Sequence, residues 1–71
     1  MDNTSSPAHL IAIAKAKAKV AQAEAMVFKT AFAFDMAKND ADRPALATAA
    51  LKAVKDLDDA EVELFAVRSG F

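Results

Sequence analysis

The first candidate for chemistry in this chain is a run of acidic residues. The run is Asp56–Glu61, and clustered carboxylates are the usual ligands of calcium. An EF-hand calcium loop also needs a glycine at its sixth position and a glutamate at its twelfth, and this segment provides neither. We therefore predict a solvated acidic helix face at this position and no metal site.

Candidate nucleophiles and histidine-based sites have no supporting pattern. His9 is the single histidine, and it lacks the Glu-x-x-His spacing that di-iron bundles use. Ser5, Ser6 and Ser69 have no base and orienting acid near them in sequence. One glycine in the whole chain excludes a glycine-rich phosphate loop. We predict that the protein is not an enzyme, that it uses no cofactor, and that His9 is an ordinary surface residue.

Three lysines, Lys15, Lys17 and Lys19, are the best candidates for contact with an anion or a nucleic acid. Spacing by two sends successive lysines to different sides of a helix, and the chain as a whole carries a net charge of −1. Phosphate binding needs a coherent basic face. Nucleic acid is therefore not the expected partner. Binding of a protein or a nucleic acid through this basic end is the alternative function, that of a small regulator or co-chaperone.

The length of 71 residues allows one domain with a thin hydrophobic core. Domains this small are usually stabilised by disulfides, a metal or oligomerisation, and a chain without cysteine points to oligomerisation. The polar start has no signal-peptide pattern, and lysines interrupt the apolar region before the roughly 20 residues that a membrane span needs. We expect a soluble protein that is cytoplasmic at synthesis. Its final place in a virion or a secreted assembly is left open.

Helix start and stop signals predict two long helices. Ser6 followed by Pro7 is typical of a helix N-terminus, and neither glycine nor proline interrupts the chain from there to Pro44. We predict a disordered tail over 1–6 and one helical-hairpin domain over 7–71, with a helix over 7–38, a turn over 39–43 and a helix over 44–68.

The short link between the helices determines their arrangement. Two long helices that are joined by so few residues must fold back as an antiparallel pair. Asp40 or Asp42 is the candidate N-cap of the second helix, and Gly70 is the candidate left-handed residue after its end.

Large and small apolar residues alternate along one face of each predicted helix. Alanine at alternate positions lets two helix backbones approach closely. Folding back also brings the lysine-rich start of the first helix beside the acidic end of the second. The predicted fold class is all-α, an antiparallel two-helix hairpin with an alanine-rich, coiled-coil-like seam that oligomerisation completes. The seam residues are Ile13, Ala16, Val20, Ala23, Val27, Thr30, Phe34 and Ala37 on the first helix, and Leu46, Ala50, Ala53, Leu57, Ala60, Leu64, Val67 and Phe71 on the second.

A second apolar stripe lies on the far side of the first helix. One hairpin partner cannot cover both stripes, and an exposed stripe with two phenylalanines on a small protein usually marks an interface. The second helix carries a shorter counterpart. The predicted interface residues are Ile11, Phe28, Phe32 and Met36 on the first helix, and Leu51, Val62 and Phe65 on the second.

These stripes predict a non-catalytic structural or interaction protein that binds itself. One possibility is a two-fold dimer that forms a four-helix bundle. Another is a repeating assembly, such as part of a virion, a filament or a secretion apparatus, in which each hairpin has neighbours on two sides. A second protein is a further possible partner. Binding to a membrane surface is less favoured, because the lysines are spread around the first helix.

Three short segments are similar to parts of the type III secretion needle subunits. The segments are Met36–Asn39, Arg43–Pro44 and Val54–Asp58. Those subunits are small helical hairpins that polymerise into a tube, and the resemblance implies that Lys55 and Asp56 lie in the tube-forming helix. The paired prolines of the needle turn are missing here. Two-helix dimers that bind RNA in plasmid copy control are similar in outline only.

Overall fold

Two antiparallel helices and one short 3₁₀ turn form an all-α helical hairpin. The computed structural model describes residues 6–70. Helix α1 is Pro7–Asp35, the 3₁₀ turn is Asp40–Asp42, and helix α2 is Arg43–Arg68. The tail predicted over 1–6 therefore falls almost entirely outside the described residues, as does Phe71.

Helix α1 begins where the sequence predicts. The hydroxyl of Ser6 accepts a hydrogen bond from the backbone N–H of His9 at 3.1 Å, and Pro7 occupies the first helical position. An N-cap hydroxyl satisfies one of the four free N–H groups of a helix start, and proline has no N–H to satisfy. This arrangement fixes the first turn of α1.

The end of α1 comes earlier than the predicted residue 38. The helix ends at Asp35, and the N–H groups of Met36 and Ala37 donate to the carbonyls of Phe32 and Phe34. Asn39 then adopts an extended backbone with φ −113° and ψ 119°. The reversal therefore needs the four residues between α1 and the 3₁₀ turn as well as the turn itself.

The prediction that Asp40 or Asp42 is the N-cap of the second helix holds for position alone, because Asp42 is the N-cap residue of α2 but makes no side-chain cap hydrogen bond. Asn39 does the capping, because its side-chain oxygen accepts from the N–H of Ala41 at 3.1 Å and starts the 3₁₀ turn. Asp42 precedes α2 without a side-chain cap hydrogen bond, and Asp40 instead lies 3.8 Å from Nε of Arg43. The 3₁₀ turn leads directly into α2, which begins at Arg43 and leaves no free first turn for an aspartate to cap.

The end of α2 is the one predicted. Gly70 has φ +84°, the left-handed conformation that glycine adopts without steric cost. Its N–H donates to the carbonyl of Val67 at 3.1 Å, and that of Ser69 donates to Phe65 at 3.0 Å. These bonds satisfy carbonyls that would otherwise be free at the helix end.

The seam between α1 and α2 is made of the predicted residues that the structure describes. Ala16 and Ala53 are each 2% exposed, and the larger seam side chains are half-buried. An ion pair of 3.0 Å between Nζ of Lys19 and Glu63 lies beside the seam, where the charge pattern places the lysine-rich start of α1 next to the acidic end of α2. Thr30 also lies on the seam, and its hydroxyl donates to the carbonyl of Met26 at 2.8 Å, which satisfies the polar group within α1.

The hairpin is long and thin. Its principal extents are 58 × 14 × 11 Å and its radius of gyration is 16.4 Å, whereas a compact chain of this length has about 11 Å. The accessible surface is 5462 Å², against about 4,200 Å² for a typical folded monomer of this mass. The two helices therefore leave about 1,200 Å² more surface in water than a compact monomer would.

Candidate self-association surfaces

All seven predicted interface side chains are exposed. Phe28 is 79% exposed, Leu51 71%, Phe65 70%, Val62 68% and Phe32 66%. Met36 and Ile11 follow at 59% and 56%. In contrast, no side chain larger than alanine is buried among residues 6–70. The largest apolar groups of this protein thus face water and not its own core.

The four members on α1 belong to one surface, which we call the outer stripe. It consists of Ile11, Ala14, Ala18, Ala21, Ala25, Phe28, Phe32 and Met36, and every one of these residues is exposed. The helical period of 3.6 residues places the stripe opposite the seam, on the side of α1 that faces away from α2. Outward positions of a lone helical pair are normally polar, so an apolar stripe there lacks a partner.

The three members on α2 belong to a less continuous surface. Leu51 and Phe65 lie on one line along the helix, but Asp58 lies between them on that same line. Lys55 is similarly placed about two turns before Val62, at the same position of the seven-residue repeat. The outer face of α2 is therefore apolar towards its ends and charged in the middle.

The two grooves between the helices differ in chemistry. One groove has a volume of about 290 Å³ and is lined by Ala31, Phe34, Asp35, Ala47, Ala50 and Leu51. The other side of the hairpin carries a groove of about 390 Å³ that the Lys19–Glu63 ion pair borders, together with Gln22, Met26, Asp56 and Asp59. We call these the apolar side and the charged side. Only the apolar side resembles a surface that could be desolvated at low cost.

Sequence reasoning missed two exposed apolar side chains as interface residues. Leu10 is 54% exposed and Met26 47%. Leu10 lies five helical turns before Phe28, so the helical period places it on the outer face of α1, whereas Met26 lies beside the seam. Val54, at 45%, belongs to the shorter apolar stripe that the sequence predicts on α2. The structure shows that an alanine-rich seam is narrow, so that side chains beside it stay exposed.

The turn end of the hairpin is held by one cation–π contact. The guanidinium carbon of Arg43 lies 5.1 Å from the ring centroid of Phe34. Such a contact contributes about 0.5–1 kcal/mol at an exposed site. It anchors Phe34, the last large seam residue of α1, where the chain leaves the helix.

The three candidate anion-binding lysines do not form one site. Lys19 is paired with Glu63 on the charged side. Lys15 lies one helical turn before it on that side, and Lys17 lies across the helix. The acidic end of α2 thus neutralises part of the basic end of α1. Binding of a protein or a nucleic acid through this end, the alternative function, is then supported only by Lys15 and Lys17, which lie on different sides of the helix.

His9 differs from its prediction as a surface residue. It is half-buried, and its Nε2 is shielded from water without a hydrogen-bond partner among residues 6–70. The reason is its place one heptad before Ala16, which puts it on the seam. Within the same residues, no three His, Cys, Asp or Glu side chains are grouped as a metal site would require. No helix in this part of the chain is both long and apolar enough to cross a membrane.

Comparisons with known proteins give no further constraint. No family model, no curated protein and no solved structure matches this chain. Support for a function therefore comes from the surface of the molecule itself.

Proposed function

We propose that this protein is a non-catalytic structural or interaction protein that binds itself through its exposed apolar helix faces. The product is a bundle dimer or a larger assembly of the kind found in virions, filaments or secretion machinery. The observation that carries the proposal is the exposure of all seven large apolar side chains on the outer faces, from 56% for Ile11 to 79% for Phe28.

Energetic considerations support the same function. An unfolded chain of 7.5 kDa exposes about 10,900 Å², so the hairpin with 5462 Å² buries only about half of that surface. Chains of this size usually bury about 60%. Because ordering each residue costs about 1–2 kcal/mol, burial of the outer faces in an assembly is the remaining source of stability for a chain without disulfides.

The test is the mass in solution, measured by light scattering over a wide range of concentrations. We expect a species larger than one chain that dissociates on dilution. Phe32→Asp places a charge on the outer stripe, so it should lower the mass of the assembly while helicity by circular dichroism stays largely intact. Ala49→Asp adds the same charge at an exposed residue of the charged side and is the matched control.

Two results would contradict the proposal. One is a monomer at every concentration. The other is a Phe32→Asp protein with the mass of the wild type, because the outer stripe would then be unnecessary for association.

A further inference from the structure

We propose that the outer stripe of α1 binds the outer stripe of a second copy of this chain, with the two α1 helices antiparallel. The inference rests on the proposed function, since it specifies which face associates and in which register. Two observations lead to it: the length of the uncharged apolar stripe, and the charges that flank it.

The outer stripe extends along most of α1 and offers a second helix a continuous apolar surface. The stripe from Ile11 to Phe32 is about 32 Å long at 1.5 Å per residue. Along that length it contains no charged residue.

The hairpin itself provides the rule for the register of two antiparallel alanine-rich helices. The ion pair that flanks the seam joins Lys19, one residue before Val20, to Glu63, three residues after Ala60. By this register Val20 lies against Ala60, a large residue against a small one. An ion pair beside the seam thus joins two residues. One comes directly before a seam residue of the first helix, and the other comes three residues after the seam residue that faces it on the second helix.

The outer stripe has the same relation within α1. Lys17 lies one residue before Ala18, and Glu24 lies three residues after Ala21. When Ala18 of one copy faces Ala21 of the second copy, Lys17 of each copy is therefore placed beside Glu24 of the other. Two-fold symmetry makes this pair twice. Neither residue has an ion-pair partner in the described part of the hairpin.

In this register Ala14 faces Ala25 and Ile11 faces Phe28 of the second copy. Unlike the hairpin seam, where a large residue faces a small one, this contact has alanine against alanine at its centre and large side chains against each other at both ends. A parallel pairing would place Lys17 of each copy on the opposite side of the contact from Glu24 of the other, so the two Lys17–Glu24 pairs form only in the antiparallel arrangement.

Cysteine cross-linking tests the register. The Ala18→Cys protein and an Ala21→Cys protein labelled with heavy nitrogen are mixed in equal amounts and oxidised mildly, and the label separates mixed dimers from both homodimers by mass. In the proposed register, the facing pair comes within the roughly 7 Å between Cα atoms that a disulfide allows, whereas like residues are offset along the axis. Mixed dimers should exceed the half expected for random pairing. Ala49→Cys, on the charged side, is the control that should cross-link slowly.

Charge exchange tests the flanking pair. Glu24→Lys creates two Lys–Lys contacts and should raise the dissociation constant roughly tenfold, and adding Lys17→Glu should restore it to within about twofold. Lys17 also lies across the apolar groove from Glu61 by the hairpin register, so the single Lys17→Glu variant is less informative. Circular dichroism checks that all variants remain helical.

The outcomes separate this inference from the proposed function. If the wild type stays monomeric, both fail. If it associates but Ala21→Cys pairs best with itself, cross-linking is random, or the double exchange restores nothing, the antiparallel register is wrong and self-association through another face stands.

Discussion

Two phenylalanines on α1 should give opposite results when each is replaced by alanine. Phe28 is 79% exposed on the outer stripe. Phe34 is half-buried on the seam beneath Arg43. The substitution is chemically the same and the helix is the same, so a difference reports only what each ring contacts. We expect Phe28→Ala to weaken association and Phe34→Ala to destabilise the hairpin.

The magnitude for Phe28 follows from its exposure. Complete burial of a phenylalanine contributes about 1.5–3 kcal/mol. With 79% of the side chain still exposed in the hairpin, about 1.2–2.4 kcal/mol is available on association. Two copies across a two-fold axis double this, so the dissociation constant should rise about 50- to 3,000-fold. The part of Phe28 that the hairpin already buries accounts for the rest, about 0.3–0.6 kcal/mol, which is the loss of hairpin stability that we expect.

Phe34 should show the reverse. Full truncation of a buried phenylalanine costs about 3–5 kcal/mol, and a half-buried ring that also stacks under a guanidinium should cost about 2 kcal/mol. Stability is measured by urea unfolding, monitored by circular dichroism, at protein concentrations below the dissociation constant of the assembly. Sedimentation equilibrium gives the dissociation constants.

A clear result would refute this reasoning. If Phe28→Ala lowered the free energy of unfolding of the dilute chain by about 2 kcal/mol and left association unchanged, the ring would be a core residue and the outer stripe would not be an interface.

Two further predictions concern the hairpin alone. Ala53→Leu inserts a large side chain where the exposed fraction is 2%, so it should cost about 1–3 kcal/mol in urea unfolding by forcing the helices apart. Ala49→Leu, at an exposed position of the same helix, should change stability by less than about 0.5 kcal/mol. Ser6→Ala removes the hydroxyl that accepts from His9 and should cost about 1 kcal/mol, whereas Ser6→Asp should retain the cap; equal stability of the Ala and Asp variants would contradict a capping role.

Local sequence features determined most of the fold of this protein. The Ser6–Pro7 start, the glycine after α2 and the alternation of large residues with alanine all act within a few residues or through the helical period, and the structure has each of them. The antiparallel arrangement follows as well, because the short link permits no other, and the opposite charges of the two ends meet in the Lys19–Glu63 ion pair. The outer stripe could also be recognised in the sequence, because the helical period that defines the seam also defines the face opposite it.

Only the tertiary structure decided what depends on two chain segments meeting. The sequence could not show that the turn starts with Asn39 and not with Asp40 or Asp42. All three side chains can cap, and only the conformation of the backbone decides which one does. Sequence reasoning also missed the burial of His9, which depends on where the seam ends, and the exposure of Met26, which depends on how little of its flanks an alanine-rich seam covers. The difference between the charged side and the apolar side arises from both helices together, so neither helix alone reveals it.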